Sequence, residues 1–213
     1  MISRIYRLIT LTVLWFQPLV AIAEPYNNYE AIPTTATTSI PAGWVQFCER
    51  YPQDCLVNQG PEKVLLLTPA LEKKIQSLNR EVNHKIKMVT DSDHFGVIDD
   101  WNYPNDGKGD CEDIALHKRR LLLKMGVPPE ALALAVVEIS SDSKEKHAVL
   151  ILKTDSGDFV LDNLTDSFKN WQNTSYKFNK IQSSLDPNEW LTVNTVKSAR
   201  QELYQLIEET ATR

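Results

Sequence analysis

The chain has 213 residues, and 28 acidic side chains against 23 basic ones leave a formal net charge of -5. No basic face is visible, which excludes nucleic acid as a partner, because binding phosphates needs clustered lysine and arginine. Beyond a short leader the chain is of single-domain size and long enough to bury a core without staples.

Arg4 and Arg7 precede an apolar stretch from Leu8 to Ile22, and Ala21-Ile22-Ala23 stands directly before Glu24. A basic start, an apolar middle and a small-residue end predict a secretory signal peptide over residues 1–23. Thr10, Thr12, Gln17 and Pro18 interrupt the run, which falls short of the ~20 apolar residues that span a bilayer. The mature product is therefore expected to be soluble and exported, in a compartment that permits disulfides. Residues 24–41 are rich in Thr, Pro and Asn without an apolar period and read as a flexible leader, with a single domain over 42–213.

Cys48 and Cys55 stand seven apart with Pro52 between them, a spacing that suits a local disulfide; two free buried thiols are the alternative. Thr68-Pro69 opens a helix, the hydroxyl as N-cap and proline at the first position. Leu71, Ile75, Leu78, Val82 and Ile86 then recur at helical spacing to about Lys87. Residues 88–109 carry Asp91, Asp93, Asp99, Asp100, Asn105 and Asp106, which is loop chemistry, with Trp101 and Tyr103 embedded in it.

A second helix is predicted from about Cys111 to Met125, ended by Gly126 and Pro128-Pro129. Cys111, Ile114, Ala115, Leu121, Leu122 and Met125 share an arc of ~120°. Lys118 falls on the same stripe and is expected to snorkel past the edge of the core. Beyond Gly126 the period turns to strand. Residues 131–139, 147–152 and 159–161 are apolar or β-branched, with Thr154-Asp155-Ser156-Gly157 as a hairpin turn. Tyr176–Ile181 and Trp190–Val193 read as further strands, and Val196–Glu209 as a polar helix. Helices first and an antiparallel sheet second predict an α+β domain, N-terminal helices packed on the sheet.

Cys111 is the odd cysteine, and a thiol at a helix start feels unpaired N–H groups and the positive end of the helix dipole, which favour the nucleophilic thiolate. Acyl chemistry then needs a base. His84 lies in the first helix, His94 in the acidic loop and His117 on the cysteine's own helix, so His147, opening an apolar strand, is best placed. Asp162 ends the next strand. An even-length turn puts positions 147 and 162 on one face. Asp158 and Asp166 compete for the same orienting role. The backbone N–H of Cys111 is the natural oxyanion donor, with the Trp101 indole or a polar loop side chain as a second; plain packing is the alternative for Trp101.

Asp110, Glu112 and Asp113 bracket the nucleophile. They read either as ordinary helix-start acids or as hard-oxygen ligands for calcium, completed by loop carbonyls around Asn102. Three anions beside a thiol oppose thiolate formation, and a cation removes that penalty.

Asp100-Trp101-Asn102-Tyr103-Pro104, Gly109-Asp110-Cys111-Glu112-Asp113-Ile114-Ala115, His147 and Asp162 together resemble the bacterial transglutaminase-like cysteine proteinases of the LapG type. The resemblance covers nearly the whole mature chain. It implies a papain-like fold, a Cys111, His147, Asp162 triad and a calcium requirement. It also implies a periplasmic endopeptidase that cuts a large surface adhesin near its N-terminus, at a di-alanine site, so that biofilm attachment is lost. An inner-membrane receptor responding to cyclic di-GMP is the implied inhibitor. Two other functions fit the same residues: a transglutaminase-like acyl transferase, in which an amine resolves the thioester, and a non-catalytic module that binds the receptor.

Overall fold

The structure, a computed structural model, describes residues 30–140 and 143–194. The expected signal peptide over 1–23 and the expected helix over 196–209 lie outside the described residues. In chain order the elements are β1 (Thr34–Thr38), α1 (Ala42–Arg50), α2 (Pro69–Lys85), β2 (Lys87–Met88), α3 (Asp91–His94), β3 (Lys108–Gly109) and α4 (Cys111–Lys124). They continue with β4 (Leu132–Glu138), β5 (Lys146–Thr154), β6 (Gly157–Leu161), β7 (Phe168–Asn170), β8 (Lys177–Gln182) and β9 (Trp190–Val193). Seven strands form one antiparallel sheet in the order β1-β9-β8-β4-β5-β6-β7, so the architecture is α+β, as expected.

Alternation along the strands divides the core. Leu132, Leu134, Leu150, Leu152 and Leu161 pack with Trp44 and Phe47 of α1, Ile75 of α2, and Leu116 and Leu122 of α4. Ala133, Ala135, Val137, Val149, Ile151 and Val160 face the other way, with Phe178, Ile181 and Ile32. Because the side-chain period of a strand is 2, one sequence fills both faces. Each large apolar side chain so buried contributes roughly 1.5–3 kcal/mol.

Local chemistry sets the helix ends. Thr68 Oγ1 accepts from Leu71 N at 3.3 Å, capping α2 ahead of Pro69. At the far end of α4, Val127 N donates to Leu122 O at 3.1 Å and Gly126 N to Leu123 O at 3.0 Å, with Gly126 at φ 88°. That is a Schellman closure, and Val127 and Leu122 are both buried beside it. The turn between β5 and β6 is Asp155-Ser156, with Gly157 at φ 114°.

Several sequence expectations need correction. The flexible leader over 24–41 is overturned from residue 34 onward: Thr34–Thr38 is an edge strand on β9, with Thr37 opposite Leu191 and Thr38 opposite Trp190. Four threonines supply β-propensity, but an exposed edge strand shows no apolar alternation, so its signal resembled that of a loop. The loop over 88–109 contains β2 and β3, paired in parallel, and the single turn α3. Short β7 was not anticipated.

Cys48 and Cys55 are joined in a disulfide with Cα atoms 5.7 Å apart, tying the end of α1 to the turn after it. Closing so short a loop restricts the unfolded chain modestly. Replacing both cysteines by serine is expected to cost about 2–3 kcal/mol, read as a lower urea midpoint at unchanged slope.

Candidate active site

Cys111 occupies the first position of α4, where backbone N–H groups have no carbonyl partner within the helix. β6 pairs with β5 only from Leu150 to Thr154, so the sheet opens beside Lys146–Val149. Into that opening comes the thiol. The N–H of Ala148 donates to Cys111 Sγ at 3.4 Å, and the thiol itself donates to Glu112 Oε2 at 3.0 Å.

His147 and Asp162 follow the register the hairpin dictates. Leu150 lies opposite Leu161, so position 162 is an even step from the partner position of 147 and both share a face. Nε2 of His147 and Oδ1 of Asp162 are 2.8 Å apart, and both side chains are buried. Oδ1 of Asp162 also accepts the Leu164 N–H at 3.1 Å, while Oδ2 accepts the hydroxyl of Tyr176. With Nε2 engaged, Nδ1 is the imidazole nitrogen left for proton exchange. Burial alone raises Asp162, but the His147 and Tyr176 hydrogen bonds outweigh it and hold the carboxyl below its ordinary range.

The competing residues are engaged elsewhere. Asp158 Oδ2 accepts the Ile32 N–H at 2.8 Å, and Asp166 pairs with His84 at 2.9 Å. His94 pairs with Asp106 at 2.9 Å, and His117 lies 3.1 Å from an Arg120 nitrogen. Trp101 is overturned as an oxyanion donor. Its indole N–H donates to Asp99 Oδ1 at 2.9 Å, and its ring packs edge-on against Trp44 and Trp190. A tryptophan wedged between two others serves the core, which the alternative reading anticipated. Lys118 does not snorkel either: it is 0% exposed, and its Nζ donates to the Asp162 backbone carbonyl at 2.8 Å. A carbonyl turned towards the helix gives the buried amine one acceptor inside.

The acidic residues around the nucleophile converge. Asp110 is the N-cap residue of α4, yet its side chain makes no capping bond; Oδ2 accepts the Asp91 N–H at 3.2 Å and Oδ1 has no partner. Asp113 Oδ1 accepts the Asn102 N–H at 2.6 Å. Gly109 permits this approach, because a Cβ there would lie 2.7 Å from the Asp113 side chain. Oxygens of Asp91, Asp110 and Asp113 lie within 4.8 Å of one another, as do those of Asp91, Asp99 and Glu112. Asp91 was only one of several loop acids in the sequence; α3 and the loop after it turn it inward, where Oδ2 accepts the Asp100 N–H and Oδ1 is buried without a partner.

So many buried carboxyls cannot all ionise unaided. Burial first, and neighbouring acids after it, push Glu112 up to about 9, Asp113 up to about 8 and Asp91 up to about 6. The Cys111 thiol is likewise pushed well up, by burial and then by Glu112. A hard cation fits this donor set, since it supplies the positive charge that clustered oxygens lack.

A family model described as bacterial transglutaminase-like cysteine proteinase, BTLCP, matches residues 34–198. Among solved structures, calcium-bound Legionella pneumophila LapG is similar with a TM-score of 0.49 at 19% identity, over 80% of this chain and 93% of that one. EGTA-treated Legionella pneumophila LapG gives a TM-score of 0.47 at 19% identity, over 75% of this chain and 82% of that one. No curated relative matches the chain. The family match runs from β1 through the cysteine helix and both site strands past β9, and the chain belongs to the bacterial transglutaminase-like cysteine proteinases.

Proposed function

We propose that this cysteine proteinase is an exported, calcium-dependent endopeptidase working through Cys111, His147 and Asp162. The observation that carries the reading is the meeting of a helix-start thiol with the strand of a buried histidine already engaged by a carboxylate. Cys111 sulfur attacks the peptide carbonyl, and His147 takes the thiol proton and passes it to the leaving amine as the C–N bond breaks. Water then attacks the thioester, gives a proton to His147, and releases the acid product with the thiol restored. Asp162 holds the imidazole in the needed tautomer. The Cys111 N–H, at the open first turn of α4, stabilises the oxyanion.

Asp91, Asp110, Glu112 and Asp113 are the residues that would hold calcium, with Asp99 at the edge of the set. Bound there, the ion supplies the countercharge that makes ionised acids beside the thiol tolerable. The buried carboxylate oxygens of Asp91 and Asp110 without hydrogen-bond partners support this assignment.

The motif resemblance extends the reading to a periplasmic location, a large surface adhesin as substrate with release of biofilm attachment, and an inner-membrane cyclic di-GMP receptor as inhibitor. Digestion of an adhesin N-terminal fragment in calcium is expected to give two products by mass spectrometry. An intact fragment sinks the adhesin assignment. A labelled amine added to the digest separates transfer from hydrolysis, and incorporation into the N-terminal product would favour acyl transfer.

A further inference from the structure

Cys111, at the first position of α4, and the fully buried Lys118, seven residues on, lie on one stripe of the helix. At 100° per residue they point within about 20° of each other. Leu or Met would fill the Lys118 position without the several kcal/mol that desolvating an ammonium costs. The cation is retained where its Nζ reaches one acceptor, the main-chain carbonyl of Asp162, at 2.8 Å. Burial pushes Lys118 down to about 7, opposed by the charges of Asp162 and Asp166.

A second donor meets the same carbonyl from another helix. Asn83 Nδ2, on α2, lies 2.9 Å from it, and also 3.3 Å from Thr165 O and 3.0 Å from Asp166 Oδ1. The peptide unit of Asp162 is thus gripped by α4 and α2 together. Its carboxylate is held separately, by His147 and the Leu164 N–H on Oδ1 and by Tyr176 on Oδ2. Asp162 stands just past the end of β6, one residue beyond its last register pairs, Leu161 opposite Leu150 of β5 and Phe168 of β7. There side-chain donors hold its carbonyl.

We propose that Lys118 and Asn83 clamp the main-chain carbonyl of Asp162 and act as positioning residues of the proteolytic site. Through Lys118, the helix that presents the thiol also sets the carboxylate that orients His147. The inference rests on the triad reading above. Supports of this kind matter because displacing a reacting constellation by ~1 Å costs about a hundredfold in rate.

The test is alkylation of Cys111 by iodoacetamide at fixed pH and calcium, which needs no knowledge of the substrate. Lys118→Met is expected to slow alkylation about tenfold, comparable with Asp162→Ala, and the double variant should be no slower than Asp162→Ala alone within about twofold. Asn83→Ala, which leaves the core cation in place, is expected to slow it about threefold, so the proposal stays testable if Lys118→Met fails to fold. Wild-type rates in folded Lys118→Met or in Asn83→Ala overturn the clamp. So do effects of Lys118→Met and Asp162→Ala that multiply in full, because a residue acting only on overall stability would not depend on Asp162. A His147→Ala protein alkylated at the wild-type rate would instead sink the triad reading, whatever Lys118 does.

Discussion

Cys111→Ala is expected to abolish peptide cleavage, with a loss of at least about a thousandfold in kcat and little change in the affinity for uncut substrate. The sulfur is the atom that would bond to the substrate carbonyl, and its hydrogen-bond acceptor, the Glu112 carboxyl, is assigned above to the calcium shell and is not free to take its place. The fold should tolerate the change. Cys111 stands outside the disulfide, and truncation leaves one N–H, that of Ala148, in need of a new partner. A thermal midpoint near wild type together with lost cleavage isolates the chemistry from stability. Persistent cleavage by the alanine variant would instead favour a binding module whose apparent activity came from a contaminant.

Calcium removal should have the second largest effect: cleavage lost in excess EGTA and regained on adding calcium. The same acids predict a pH signature. Asp91, Glu112 and Asp113 hold their protons to higher pH when folded than their ordinary values of 3.8 and 4.5 allow. The metal-free folded state therefore binds more protons than the unfolded one, so its stability is greatest below about 4 for these groups and declines as pH rises towards about 9. Calcium binds the ionised form, so the gain in melting temperature on adding it should grow across that window. A ligand at a hundredfold over its Kd adds about 2.7 kcal/mol. Undiminished cleavage in EGTA, or a melting temperature indifferent to both pH and calcium, would remove the metal from the account.

Much of this site was legible in the chain. Thr68-Pro69 and Gly126 bracket helices because capping chemistry is local, and the step of 2 along strands placed residues 147 and 162 on one face before any register was known. Asp91 was not legible, because a loop acid reads the same whether its carboxylate faces water or is folded inward against Asp110. Trp101 read as a possible donor for a similar reason: its N–H goes to Asp99, two residues away, while its ring is sandwiched by Trp44 and Trp190 from distant parts of the chain. Tyr176, forecast only as the start of a strand, proves to bond Asp162 across 14 positions.

By itself, then, the sequence determined α2, α4, β4, β5, β6, β8 and β9, the placement of Cys111 at a helix start and the sharing of one face by residues 147 and 162. These depend on periodicities, caps and a two-residue turn, all local in the chain. Only the tertiary structure decided which acids converge, what Lys118 touches and where β1 docks. Each of those is a contact between segments far apart in the chain, whose partners are chosen by packing and by the need to satisfy buried charge rather than by neighbours in sequence.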